Sequence, residues 1–161
     1  MRGTVLVLIM LVSACARWSA SDTTKVRAAM NSSDARHISV AINRSPREVY
    51  DFASKPENLP RWARGLAGSI ENVGGEWIAK SAMGTVRVRF VEPNTFGVLD
   101  HDVTLESGVS VHNSMRVVAR DDGRSEVIFT LFRRPGVSDA EFDADAGAVE
   151  KDLGALKEIF E

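Results

Sequence analysis

The stretch SDAEFDADAGAVEKDLGALKEIFE, residues 138–161, decides the fold. Phe142, Ala146, Val149, Leu153, Leu156 and Phe160 recur at the spacing that stacks side chains on one face of an α-helix, about 100° per residue. Ser138 and Glu141 form a capping box, in which hydroxyl and carboxylate satisfy the first orphan N–H groups. Asp139, Glu141 and Asp143 add negative charge at the positive end of the helix dipole. Gly147 and Gly154 fall on the opposite, solvated face, where each costs up to ~1 kcal/mol of helix propensity. A helix with one apolar stripe gains its stability from tertiary packing, so the preceding residues must supply a surface for it to cover.

That surface reads as antiparallel sheet. His37 to Asn43 alternates with Ile38, Val40 and Ile42 on one side, the period-2 pattern of a half-buried strand. Ser45-Pro46-Arg47-Glu48 opens a helix whose apolar side is Val49, Tyr50, Phe52 and Ala53. Pro56 begins a short turn, and Pro60, just before Trp62, is expected to stop it. Gly74-Gly75 joins strands around Ser69–Val73 and Glu76–Ser81. A turn near Ala82-Met83-Gly84 leads to Val86, Val88 and Phe90, alternating with Thr85, Arg87 and Arg89, and Pro93-Asn94 ends that strand.

Glu106-Ser107-Gly108 and Asp121-Asp122-Gly123 each suit a three-residue hairpin loop with glycine in the left-handed region. These loops place Leu105 opposite Val109, Val103 opposite Val111, Leu99 opposite Met115, Val117 opposite Val127 and Met115 opposite Phe129. Apolar meets apolar along both hairpins, and a slip of one residue would destroy the match. The same register sets His101 opposite Asn113 on the inward face, with Leu131 as next neighbour, and Asp102 opposite His112 on the outer face.

Strand, two short helices, a run of hairpins and one long terminal helix make an α+β domain, a curved antiparallel sheet wrapped around the helix. Ser45-Pro46-Arg47-Glu48-Val49-Tyr50-Asp51-Phe52, leading to Pro56-Glu57-Asn58-Leu59-Pro60-Arg61-Trp62, resembles the opening of the polyketide cyclase/dehydrase-like branch of the START-like (SRPBCC) superfamily. Gly136-Val137-Ser138-Asp139 through Asp152-Leu153-Gly154-Ala155-Leu156-Lys157 is similar to that branch's closing helix. The resemblance covers about residues 36–161. It implies a helix-grip fold with a cavity between sheet and long helix for a lipid, polyketide or other hydrophobic molecule, and it carries over no catalytic set and no cofactor.

Two readings stand for residues 1–35. Met1-Arg2-Gly3 and the apolar run Val5–Val12 form a leader too short to span a bilayer, and Val12-Ser13-Ala14-Cys15 resembles a bacterial lipobox. Residues 1–15 are then a signal and lipoprotein leader, 16–35 a polar tether, and Cys15 a lipidated anchor in the cell envelope. In the other reading Met30 is the true start and the protein is cytoplasmic.

A net charge of −2 and a pI near 6.0 give no broad electrostatic reason to bind nucleic acid, and Arg44, Arg47, Lys55, Arg61 and Arg64 read as a solvated face. The single cysteine excludes an intramolecular disulfide and, with three scattered histidines, gives no metal-ligand spacing. No phosphate loop, Ser-His-Asp order or Cys-His nucleophile arrangement occurs. Nothing sets an oligomeric state.

The inward face comprises Trp77, Val86, Val88, Phe90, Leu99, His101, Val103, Val111, Asn113, Met115, Phe129 and Leu131. A mostly apolar lining with a few polar groups suits a small-molecule pocket and equally suits a filled core. The ligand-binding candidates are His101, Asn113, Trp77, Val88, Phe90, Leu99, Met115, Phe129 and Leu131. His101 with Asn113 can hydrogen-bond each other or orient a ligand carbonyl or hydroxyl, and His101 is the one candidate general acid/base. Asp145 sits at the edge of the helix stripe, within reach of a pocket mouth. Three functions are carried forward: a non-catalytic module binding a small hydrophobic ligand, a cyclase or dehydratase using His101, and a protein-interaction module using outer-face Val98, Val118 and Ile128.

Overall fold

The computed structural model describes residues 35–81 and 84–161. The leader, tether residues 16–34, Cys15, Met30 and the Ala82-Met83 turn lie outside the described residues, and Ala35, the last residue assigned to the tether, begins the first strand.

Seven antiparallel strands form one sheet in the order β1-β7-β6-β5-β4-β3-β2. They are β1 (Ala35–Ile42), β2 (Ser69–Val73), β3 (Glu76–Ser81), β4 (Gly84–Phe90), β5 (His101–Leu105), β6 (Ser110–Ala119) and β7 (Ser125–Phe132). Helix α1 (Pro46–Ala53) and the short α2 (Leu59–Trp62) connect β1 to β2, and α3 (Asp139–Glu158) closes the chain. The curved sheet grips α3, which packs on β1 and β7 and against α2. The helix-grip fold is therefore present.

Local chemistry explains the elements. Both capping boxes form: Ser45 and Ser138 each accept from the backbone N–H three residues on, and Glu48 and Glu141 reach back to the cap. Those serine hydrogen bonds hold both glutamates below the ordinary carboxylate range. Pro60 does not stop the turn that Pro56 begins. A 3₁₀ turn over Pro56–Asn58 runs into α2, where proline in the first turn forfeits no helical hydrogen bond.

The hairpin register is as the turns require. His101 faces Asn113, Asp102 faces His112, Val103 faces Val111, and Met115 and Val117 face Phe129 and Val127. Leu99 N–H donates to the Met115 carbonyl at 2.9 Å, extending the same register past the end of β5. The β4–β5 connection is built by Asn94. Its side-chain amide donates to the Glu92 and Val98 carbonyls, its Oδ1 accepts from the Phe96 and Val98 N–H groups, and its own N–H donates to the Tyr50 hydroxyl. Gly97 in that loop has φ +72°, and a Cβ there would lie 2.1 Å from the Val117 carbonyl oxygen. Only glycine fits.

The core is continuous from β1 through α1 and α2 to the inner faces of β3–β7 and the α3 stripe. Of that stripe, Phe142, Ala146, Leu153 and Leu156 are buried, while Val149 and Phe160 are half-buried. At the start of α3, Arg36 and Arg133 both stack on Phe142, 4.6 and 4.8 Å from the ring centroid, and pair with Asp143 and Asp139. This clasp joins β1 and the exit of β7 to the first turns of the helix.

Candidate functional site: a cavity under the C-terminal helix

Between the sheet and α3 lies a cavity of about 510 Å³, within the range typical of small-molecule sites. Its floor is the hairpin end of β5 and β6 with the last residues of β7: His101, Val103, Leu105, Val111, Asn113, Phe129 and Leu131. Val149, Asp152 and Leu153 of α3 form the roof, and Trp62, Ala63 and Leu66, at and after the end of α2, form one wall. Arg134 and Asp145, both exposed, stand at its rim. The walls are apolar except at a few points, and those points define the chemistry.

His101 is 4% exposed. Its Nδ1 lies 3.0 Å from the Leu99 carbonyl oxygen, which can only accept, so Nδ1 carries the proton and Nε2 carries the lone pair. The Phe90 ring stacks behind the imidazole, with centroids 4.8 Å apart. Burial lowers the His101 pKa from its ordinary value, a shift the Leu99 carbonyl only partly offsets, so the ring is neutral at physiological pH. Nε2 is the free acceptor of a residue that lines the cavity. Asn113 lines it too, but the imidazole bonds to the backbone of its own strand rather than to the amide.

Asp152 is the second polar point. Burial raises its pKa to about 6, opposed only by a hydrogen bond from the Gly65 backbone N–H, and no cation pairs with it among the described residues. Trp62 is 4% exposed, and its indole Nε1 is sealed from solvent without an acceptor among the described residues. Such an orphan donor costs roughly 1–3 kcal/mol. Neither Trp62 nor Asp152 is singled out by the sequence reading. The signal for Asp152 exists: Asp145, Ala148, Val149 and Asp152 follow the i, i+3, i+4, i+7 spacing of a second stripe beside the apolar one. For Trp62 the sequence gives only its place after Pro60.

The structure divides the candidate residues. His101, Asn113, Phe129 and Leu131 come together around the cavity, with Asp145 at its rim. Leu99 and Met115, each 1% exposed, belong to the close-packed core and do not line it. Phe90 backs His101 from behind. Trp77, Val88 and Phe90 border a different depression of about 560 Å³ among charged residues that include Arg87, Arg89, Glu92 and Asp102. They lie on β3 and β4, toward the other edge of the sheet from β1 and β7, and do not line the cavity under α3. On the outer face Asp102 bridges Arg89 and His112 at 3.1 and 2.8 Å, a cross-strand polar ladder. Among the described residues no group of side chains could hold a metal ion, and no helix is long and apolar enough to cross a membrane.

A cavity between a curved seven-stranded sheet and a long terminal helix defines the helix-grip class. The chain belongs to the polyketide cyclase/dehydrase and lipid transport family, whose model matches residues 36–161. Solved structures of the same fold include XoxI from Bacillus cereus, at 19% identity and TM-score 0.60 over 78% of this chain and 94% of that one. The Aha1 dimer from Colwellia psychrerythraea matches at 16% identity and TM-score 0.61, covering 79% and 96%. Ara h 8.0201 matches at 14% identity and TM-score 0.57, covering 78% of this chain and 96% of that one. No curated protein matches the chain.

Proposed function

We propose that the protein holds a small hydrophobic molecule, lipid- or polyketide-like, in the cavity under α3 and does not transform it. The observation that carries this reading is the cavity itself: about 510 Å³ of mostly apolar space between the sheet and α3, beside a close-packed core and roofed by the half-buried Val149. The hollow opens to solvent at its rim, so its apolar walls face water unless a molecule with apolar surface covers them, which is the driving force for binding. The family's description, which names lipid transport beside cyclisation and dehydration, supports the same reading. Native mass spectrometry of protein purified from its own host tests it. The expected result is a retained apolar ligand that is lost when the cavity is filled by substitution; an empty cavity that takes up no apolar probe contradicts it.

One observation favours a second reading, a cyclase or dehydratase. His101 and Asp152 line the same cavity with pKa values displaced in opposite directions, the pattern of a base and an acid prepared by their surroundings. Loss of turnover in His101→Ala with binding retained would favour catalysis over simple holding. The envelope anchor at Cys15 belongs to the same proposal, supported by the Val12–Cys15 sequence. A diacylated native N-terminus measured by mass is its expected result, and an unmodified chain starting at Met30 would remove it.

A further inference from the structure

Asp152 stands apart among the carboxylates at this site. It sits in the roof of an apolar cavity, receives one hydrogen bond from the Gly65 backbone, and has no ion-pair partner among the described residues. Asp152 is half-buried, so its charge is partly removed from water, a cost that a counter-charge or further hydrogen bonds would offset. An ionised carboxylate has about four acceptor sites, and Gly65 uses one. The remaining lone pairs have the cavity to turn to.

The other fixed polar group at this site has the same polarity. His101 donates through Nδ1 to its own strand and leaves Nε2 as an acceptor. Trp62 Nε1, a donor on a residue of the wall, is sealed from solvent. Asn113, Ser110 and Thr130 can serve either way, and Arg134 presents a positive charge only at the exposed rim. The inner part of the cavity therefore offers acceptors and asks for donors.

We propose that Asp152 anchors the ligand, and that the ligand is an apolar molecule ending in a hydrogen-bond-donating head, an amine before an alcohol, with carboxylates excluded. This deepens the binding reading above and rests on it. An ammonium head would pair with Asp152 directly, and a hydroxyl could bridge Asp152 or His101 Nε2. A carboxylate would meet an acceptor at both points.

The test is displacement of the neutral fluorophore N-phenylnaphthylamine from the full chain by decylamine, decanol and decanoate, which share one chain length and differ only in the head. At neutral pH decylamine is expected to displace the fluorophore at a concentration at least about tenfold lower than decanoate, with decanol between, as a hydrogen bond to a charged group requires. Asp152→Asn keeps the shape and the acceptor for Gly65 but removes the charge, and should bring amine and carboxylate within about threefold of each other. Because burial disfavours the ionised form, this variant should fold at least as well as the natural chain, which a thermal melt verifies. Equal displacement by amine and carboxylate, or an amine preference unchanged in Asp152→Asn, overturns the proposal while leaving the cavity a binding site. A decanoate preference lost in Arg134→Gln overturns it in favour of the rim. Failure of the fluorophore to bind at all overturns the binding reading and this proposal with it.

Discussion

Two ends of the same three strands make opposite use of one sequence pattern. Along β6, Met115 and Val117 are buried, while Val111 and Asn113 toward the hairpin line a cavity. Along β7, Val127 is fully buried, and Phe129 and Leu131 border the cavity. At the start of β5 the backbone passes from Leu99, 1% exposed in the core, to His101, whose ring lines the cavity. Apolar alternation is similar at both ends. What differs is the cover: α1 packs on β6 and β7 and contributes Val49 and Ala53 to the core, whereas the other end is roofed by α3 and walled by α2. A hydrophobic face becomes core or cavity according to the helix above it.

The comparison is broken most severely by truncation at the filled end. Met115→Ala or Leu99→Ala should cost about 2–5 kcal/mol, whereas Leu131→Ala, which only enlarges existing space, should cost roughly 1 kcal/mol; chemical denaturation of the three variants measures the difference. Equal losses would mean that the two ends are packed alike. Next in size is Gly97→Ala. A Cβ there collides with the Val117 carbonyl in a left-handed residue, so a loss of about 2 kcal/mol or more is expected, and the Asn94-built loop should show faster amide exchange.

The smallest stability effect has the opposite sign. Asp152 has a pKa of about 6 when folded against an ordinary 3.8, so the folded state holds its proton more tightly. Its contribution is fully favourable only below the unfolded pKa and declines as pH rises through the folded one. Asp152→Asn should therefore be more stable than the natural chain at neutral pH, by of order 1 kcal/mol after allowing for solvent screening of a partly exposed group. The advantage should disappear below about pH 4. Melting curves across that pH range give the answer, and a variant less stable at neutral pH would show that Asp152 is paired rather than isolated.

Much of this architecture is legible in the chain. Gly108 and Gly123 fix two turns, and the apolar partners on either side leave one register, which places His101 across from Asn113 without reference to any structure. Face is readable because side chains alternate with period two. Position along the face relative to a covering helix is not, because it depends on where α1 and α2 come to rest. That is why Leu99 and Met115 share a pattern with Phe129 and Leu131 yet part company in space, and why Trp77, Val88 and Phe90 fall away from the cavity. Asp152 was visible as a carboxylate beside the stripe. Its isolation was not, since that follows from Gly65 arriving without a cation.

The central claim is that the space under α3 is a binding site for an apolar molecule. Val149→Trp tests it most directly, because the residue roofs the cavity and is only half-buried, leaving room for an indole. Fluorescence titration of the natural chain with N-phenylnaphthylamine should saturate, and the Val149→Trp variant, melting at a similar temperature, should bind at least about tenfold more weakly, the equivalent of ~1.4 kcal/mol. Undiminished binding in the filled variant would place the apolar site elsewhere and contradict the account.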